Sequence, residues 1–261
     1  MTGLLAAYDP PAVEHVDREG KTPVLLTCDH ASRAVPRALQ NLGLDEASLA
    51  LHIGWDIGAA AVTRELADRL DAPAVLAGYS RLVIDCNRNL DDPTSIPAVS
   101  DGIEVPGNRN LTPDGRARRV EALFRPYHRA IETALDRFAA RGVHPAVLSI
   151  HSFTPVMNGF ARPWHIGILW DKDPRIPVPL MAALRREAGL VVGDNEPYSA
   201  REPAGHSVRT HAVARGLPHV AVEIRQDLIA DAGGQKEWAE RLLHALTPIL
   251  EDPALYRVKH Y

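Results

Sequence analysis

The sequence is organised around short apolar runs that end abruptly in polar residues. The clearest run covers residues 147–150 and is followed at once by His151. Similar runs at residues 22–28 and 219–227 also carry polar residues near their ends. Nearly continuous apolar runs of this length are typical of buried strands in parallel sheets. Ligands bind beyond the carboxyl ends of such strands, so these polar residues are the first candidates for a functional site.

Amphipathic segments alternate with these runs and predict the fold class. We expect strands at residues 22–28, 73–76, 80–86, 147–150, 164–170, 190–192 and 219–227, and helices at residues 59–70, 115–141, 178–188, 207–215 and 234–250. This alternation favours an α/β fold with a central, mixed and mostly parallel sheet flanked by helices. The length of 261 residues predicts a single domain over residues 1–261, in which residues 1–20 form an irregular arm.

One segment, residues 91–114, lacks periodicity and is rich in Pro, Asp, Gly and Asn. It predicts a long loop. A loop of this length inside a compact domain is usually a lid or binding loop, or else it is disordered. Both alternatives stay open from the sequence.

Composition limits the partners and the compartment. The net charge of -4 offers no electrostatic basis for binding nucleic acid, so we expect a small-molecule partner. The two cysteines, Cys28 and Cys86, each end a predicted strand, which favours buried free thiols and a cytoplasmic location. The first twenty residues do not resemble a signal peptide, and no apolar run approaches the length of a membrane span.

The candidate site residues share one location, at or just after the end of a predicted strand or before the first long helix. They are His30, Asp56, Asn87, Arg88, His151, Glu223 and Arg225. Two imidazoles and a carboxylate can bind a catalytic zinc ion and leave one position open for water, while a separate Glu acts as general base. Arginines nearby suit an anionic substrate.

Structural explanations of these residues remain open. A buried His can simply be hydrogen-bonded within a turn. Asp56 can cap the following helix, and Asp29 with Ser32 can cap another. Glu223 and Arg225 alternate onto one strand face, where they can form an ordinary ion pair.

Four segments carry a family resemblance: residues 27–32 (TCDHAS), 79–88 (YSRLVIDCNR), 149–153 (SIHSF) and 222–228 (VEIRQDL). In this order, and with Asp56 between the first two, they resemble the N-formylglutamate amidohydrolase family over residues 23–229. A single motif such as His-Ser-Phe has little specificity. Four motifs in the same order are specific for membership of the family, but they are less specific for the substrate.

That family is similar in fold to the zinc carboxypeptidases, so the resemblance implies a zinc-exopeptidase-like (phosphorylase/hydrolase-like) fold. Those peptidases carry a zinc ligand in a strand-end His-Ser pair, the general base in a Glu-Leu-Arg-type segment and a substrate-binding Asn-Arg pair. The matching positions are His151 with Ser152, Glu223 with Arg225, and Asn87 with Arg88. The peptidases take two ligands from His-x-x-Glu, but Arg33 stands three residues after His30. Asp56 is the candidate for the missing ligand.

The resemblance implies hydrolysis of N-formyl-L-glutamate to formate and L-glutamate, a late step of histidine degradation. Glu223 would be the general base, kept ionised by Arg225, and Arg88 would share in stabilising the oxyanion. Zn²⁺, or a similar divalent metal, would bind His30, Asp56 and His151. The small anionic substrate would be held by Asn87, Arg81, Arg209 and Arg225.

Two other functions stay open. The chain could hydrolyse another N-acyl amino acid or small amide on the same scaffold, in which case the shape of the pocket would decide the substrate. It could also be a metal-free binding protein, because the His-x-x-Glu pattern is missing.

Overall fold

A mixed seven-stranded sheet lies at the centre of the computed structural model, which describes residues 3–18, 21–202 and 205–261. The strands are β1 (Val13–Val16), β2 (Val24–Cys28), β3 (Ala74–Ala77), β4 (Val99–Ser100), β5 (Ile103–Glu104), β6 (Ala146–Phe153), β7 (Val156–Met157), β8 (Phe160–Ala161), β9 (Ile166–Leu169), β10 (Val192–Asp194) and β11 (His219–Arg225). The order across the sheet is β1-β3-β2-β6-β11-β9-β10, and β4-β5 and β7-β8 form separate hairpins. Strands β3, β2, β6 and β11 are parallel, whereas β1 and β9 run antiparallel to their neighbours β3 and β11. The predicted mixed, mostly parallel sheet is confirmed.

Helices cover both faces of this sheet, as predicted. The α-helices of the described residues are α1 (Glu46–Leu49), α2 (Ala59–Leu70), α3 (Pro113–Arg119), α4 (Arg125–Ala139), α5 (Pro177–Leu184), α6 (Ser207–His211) and α7 (Ala232–Leu250). Helices α2, α5 and α7 pack on the face that presents Leu26, Leu148 and Val222. Helix α4 packs on the other face, against Leu25 and Val147. Among the described residues, no helix has the length and apolarity needed to cross a membrane.

The strand predicted at residues 80–86 is wrong. This segment forms turns, in which Ser80 Oγ donates to Gly54 O at 2.8 Å and Val83 N donates to Ser80 O at 2.9 Å. Its apolar side chains fill a second core beside Leu42 instead of joining the sheet. An apolar run predicts burial, but it does not reveal whether the backbone pairs with a strand.

Other boundaries also differ from the prediction. The arm at residues 1–20 contains β1 among its described residues. Strand β6 continues to Phe153, so His151 lies inside the strand and not at its end. The helix expected over residues 115–141 is α3 and α4 joined by a π-helical turn, Val120–Phe124. Helix α6 ends at His211, short of the predicted residue 215, and the hydroxyl of its first residue, Ser207, donates to Asp29 at 2.5 Å.

The segment at residues 91–114 is ordered by a buried side chain from α3. Arg119 is 1% exposed, and its guanidinium donates to Asn108 Oδ1 at 2.6 Å, Val83 O at 2.9 Å and Gly107 O. Asn108 Nδ2 in turn donates to Leu82 O at 2.8 Å. Part of this segment lines the cavity described below, which favours the binding loop over disorder.

Gly58 starts α2 in the left-handed region, with φ 80°. A Cβ atom here would lie 2.2 Å from Ile229 O and 2.7 Å from Ile229 Cγ1, so no side chain fits. Gly142 has a similar φ of 71°, but a Cβ atom there would meet nothing within 4 Å.

We expect Gly58→Ala to be more destabilising than Gly142→Ala by about 1 to 3 kcal/mol, because both strain the backbone but only the first creates a clash. Urea unfolding of both variants measures the difference. Equal losses of stability would contradict the close approach of Ile229 to α2.

A buried pair of imidazoles joins α4 to α6. His128 Nε2 lies 3.0 Å from Cys86 O and acts as the donor, so Nδ1 accepts from His211 Nε2 at 2.8 Å. Burial lowers the pKa of His128 to about 4 and that of His211 to about 3. Both rings are therefore neutral in the folded protein at neutral pH.

These depressed pKa values predict acid sensitivity. Below about pH 6.5 the unfolded chain takes up protons on both imidazoles, while the folded chain does not until about pH 4. The free energy of unfolding should therefore fall as the pH falls through this window. Replacing one imidazole, in His211→Gln, should reduce the loss between pH 6.5 and 5 by about 1 kcal/mol. Urea unfolding across pH measures it, with His244→Gln at an exposed position as control, and parallel wild-type and His211→Gln profiles would contradict the prediction.

Candidate active site

Three predicted residues meet at the carboxyl ends of the central strands. Asp56 Oδ2 lies 3.2 Å from His30 Nδ1 and 2.9 Å from His151 Nδ1. All three side chains are buried, and their donor atoms lie within 4.8 Å of one another, so they could hold a metal ion. Ligand atoms around one tetrahedral zinc ion are separated by roughly 3.3 Å, given bonds of about 2.0 to 2.1 Å. The donor set and its spacing therefore fit a zinc-type cation.

The chain positions these groups by local backbone contacts. His30 is the second residue after β2, and Asp56 N donates to His30 O at 2.9 Å. His151 lies in β6, next to β2 in the sheet. Ser152 Oγ donates to Ile57 O at 2.9 Å, which joins the turn before α2 to the same strand. Asp56 therefore does not cap α2, where Gly58 takes the N-terminal position.

A second ring of side chains orients the two imidazoles. His30 Nε2 lies 2.7 Å from Asp85 Oδ1, and His151 Nε2 lies 3.2 Å from Asp29 Oδ2 and 3.0 Å from Ser149 Oγ. Asp29 also accepts from Tyr127 OH at 2.8 Å. Carboxylates on the outer nitrogens of metal-binding imidazoles fix the ring and raise its basicity.

Sequence reasoning missed the roles of these two aspartates. The sequence predicts Asp29 only as a helix cap, and it places Asp85 only as a polar residue of its motif. The available signal was position, because each lies in a family-type motif beside another candidate residue. Spacing alone could not reveal that their carboxylates contact the far sides of His30 and His151.

The electrostatics favour a positive charge at the centre of the cluster. Burial alone would raise the pKa of Asp56, but His30 and His151 lower it below its usual value. Burial likewise opposes charge on His151, yet Asp29 and Asp56 raise its pKa well above the usual value. The carboxylates thus outweigh the cost of burying charge here.

Glu223 stands beside this cluster without being part of it. It pairs in register with His151 on the neighbouring strand β6, and it is 8% exposed. Burial raises the pKa of Glu223 to about 7, opposed by His151. Its Oε2 atom is buried and has no hydrogen-bond partner among the described residues. A carboxylate in this state can take up and release a proton near neutral pH.

Arg225 does not lie where the sequence predicted. Its guanidinium pairs with Asp227 at 2.8 Å and reaches the backbone oxygens of Arg162 and Trp164, both at 3.4 Å. Arg225 is absent from the lining of the cavity and has no bond to Glu223 among the described contacts. The predicted ion pair between Arg225 and Glu223 is therefore not seen, and Arg225 does not keep Glu223 ionised. The carboxylate of Asp227 binds the guanidinium instead.

The other predicted residues line one cavity of about 550 Å³. They are His30, Asp56, Arg81, Asn87, Arg88, His151, Arg209 and Glu223. Arg81 is anchored by Asp85 at 2.8 Å and by Asp56 at 3.4 Å. Asn87 Oδ1 accepts from His206 N at 2.8 Å and Ser207 N at 3.0 Å, so it also holds the start of α6.

Comparisons with known proteins agree with the motifs. The chain is 27% identical over 250 residues to the N-formylglutamate deformylase of Pseudomonas aeruginosa. This match covers 90% of this chain and 92% of that protein. The match to the N-formylglutamate deformylase of Pseudomonas putida is 29% identical over 144 residues, and it spans about half of each protein, 51% of this chain and 53% of the relative.

Two solved structures are also similar. A gene product of Agrobacterium tumefaciens is 38% identical, with a TM-score of 0.89 over 95% of this chain and 100% of that chain. The N-formylglutamate amidohydrolase of Ralstonia eutropha JMP134 is 21% identical, with a TM-score of 0.72 over 93% and 98% of the two chains, and it supports the fold alone.

The profile of the family described as N-formylglutamate amidohydrolase matches residues 22–230. This range contains the four motifs and Asp56, and it covers most of the chain. The chain therefore belongs to the N-formylglutamate amidohydrolase family, and the prediction that it is an amide hydrolase is confirmed.

Proposed function

We propose that the protein is a metal-dependent hydrolase that converts N-formyl-L-glutamate to formate and L-glutamate. The observation that carries the proposal is the unpartnered, buried Oε2 atom of Glu223 beside the three donors of His30, Asp56 and His151. This arrangement separates a proton acceptor from a set of metal ligands. Amide hydrolysis needs both, and the two curated relatives bear the name of this activity.

His30, Asp56 and His151 would hold Zn²⁺ or a similar divalent ion. When bound, such an ion polarises the amide carbonyl and lowers the pKa of an adjacent water. Asp85 and Asp29 would keep the Nδ1 atoms of the two imidazoles turned toward it.

Glu223 would act as the general base and then as the general acid. Its Oε2 atom accepts a proton from the attacking water and later gives it to the leaving amine nitrogen. Because burial raises the pKa of Glu223 to about 7, both transfers are feasible near neutral pH. General acid–base catalysis of this kind contributes typically about 100- to 10,000-fold in rate.

The arginines of the cavity would bind the anionic groups of the substrate. Arg81 is already neutralised by Asp85 and Asp56, so Arg88 and Arg209 are the stronger candidates for the carboxylates and the oxyanion. The Asn87 Oδ1 atom is occupied by backbone donors of α6, which leaves the amide nitrogen of Asn87 for the substrate.

The biological setting follows from the same proposal. Hydrolysis of N-formyl-L-glutamate would belong to histidine degradation in the cytoplasm. The buried free thiols of Cys28 and Cys86 are consistent with a reducing compartment. The alternative of a metal-free binding protein is disfavoured by Glu223, whose isolated and buried carboxylate would have no use there.

The first test of the proposal is metal binding. We expect about one zinc ion per chain by elemental analysis, and its loss in a His30→Ala, His151→Ala double variant. Asp85→Asn should weaken zinc binding by roughly 10- to 100-fold, because it removes the carboxylate behind His30. Titration of apo protein measures the affinity, with His244→Ala as the control. Zinc retained in full by the double variant would rule out this site.

The second test is Glu223→Gln, which keeps size and hydrogen bonding but removes the basic oxygen. We expect kcat on N-formyl-L-glutamate to fall about 100-fold or more, with zinc content, KM and Tm nearly unchanged. Glu202→Gln, an exposed carboxylate that also lines the cavity, is the matched control. If the variant loses zinc, Glu223 is a metal ligand. If its Tm falls, Glu223 has a structural role. Near-normal turnover would reject the mechanism.

A further inference from the structure

The cavity extends well past the atoms that a formyl group would occupy. From Glu223 it continues along β11 to Ala221 and His219, which alternate onto the same face as Glu223. Ala221 is partly exposed although its strand is paired on both sides, with Ser149 of β6 and Leu169 of β9 as its partners. The sheet is therefore uncovered at this point, and a trench opens over Ala221.

The walls of this trench are mainly apolar. Six residues of the cavity lining lie on β11, at the end of β9, or on α6 and the turn that follows it: Leu169, Trp170, Val208, Val213, Ala221 and His219. One polar atom of each of its two ring side chains is engaged elsewhere, since Trp170 Nε1 donates to Asp194 at 2.7 Å and His219 Nδ1 donates to Leu217 O at 2.8 Å. Burial also lowers the pKa of His219 and favours its neutral form. Arg209, which is exposed and donates to Glu202 O, lies at the rim.

The trench lies on the opposite side of His151 from Arg81. Across the sheet the order is β2, β6, β11 and β9, which places His30, His151 and Glu223 in sequence, while the trench lies over β11 and β9. Arg81 contacts Asp56 and Asp85, the partners of His30. Arg88, which lines the same cavity and acts on Asp85 electrostatically, lies on the His30 side as well. A substrate whose scissile carbonyl lies beside Glu223 can thus direct an anionic part toward Arg88 and an apolar part over Ala221.

We infer that, besides N-formyl-L-glutamate, this enzyme takes N-acyl amino acids with an unbranched apolar acyl chain, and that Ala221 determines how long the chain can be. The inference rests on the proposed function and extends its substrate class. Two strand residues span about 6.6 Å, so an acyl chain of about five or six carbons reaches from the carbonyl beside Glu223 past Ala221. Water adds to the acyl carbon, the C–N bond breaks, and the products are a fatty acid and the free amino acid.

The size of the cavity supports this class. At about 550 Å³ it falls within the range of roughly 300 to 1,000 Å³ that encloses drug-sized ligands, and N-formyl-L-glutamate is far smaller. Each methylene buried against these walls should raise kcat/KM by roughly two- to fourfold until the trench is full.

The experiment compares zinc-loaded enzyme on N-formyl-, N-acetyl-, N-butanoyl- and N-hexanoyl-L-glutamate. For the wild type we expect kcat/KM to rise from acetyl to hexanoyl. Ala221→Leu should lower the hexanoyl-to-acetyl ratio of kcat/KM at least tenfold, because its side chain fills the trench. Ala182→Leu, at an exposed position of α5, should leave both values as in the wild type.

Binding gives a second measurement that does not depend on the folding of the Ala221 variant. Calorimetry of the same series with the Glu223→Gln variant should show tighter binding as the acyl chain lengthens. If neither kcat/KM nor affinity rises with acyl-chain length while N-formyl-L-glutamate is still hydrolysed, the inference about the trench is overturned and the proposed function is not. If none of the four substrates is hydrolysed, both the inference about the trench and the proposed function are overturned.

Discussion

The Asp56 carboxylate is the contact on which the rest of the site depends. One of its oxygens lies within 3.2 Å of Nδ1 of both His30, which lies just after β2, and His151, which lies in β6. Its position is set by the backbone bond to His30 and by the left-handed Gly58 that begins α2 against Ile229. A shift of this turn would separate the imidazoles from their shared carboxylate.

Around this contact, each buried charged side chain has neighbours of opposite charge. Asp29 and Asp85 lie behind the imidazoles, and Arg81 bridges Asp85 and Asp56. Glu223 is outside this network, which explains why burial can raise its pKa while the pKa values of the aspartates are lowered. The same side chain thus stays available for proton transfer, while its neighbours are committed to holding the site together.

Much of this could be predicted, for identifiable reasons. His30 and His151 follow or end apolar runs that form adjacent parallel strands, so their meeting was expected from the edge they share. Asp56 was predicted from its position before the first long helix, and the resemblance to the peptidases supported it, because Arg33 stands where their second ligand would be. The turns at residues 80–86 and the contacts of Asp29 and Asp85 could not be foreseen, since each depends on segments distant in the chain.

The sequence by itself determined the alternation of strands and helices and the face on which each strand residue lies, because these follow from local periodicity. Glu223 therefore had to point away from the core that holds Val222. Only the tertiary structure decided the partners of the charged side chains. Arg225 contacts Asp227 and two backbone oxygens in place of Glu223, because a long, flexible side chain binds whichever acceptors the folded chain brings nearest.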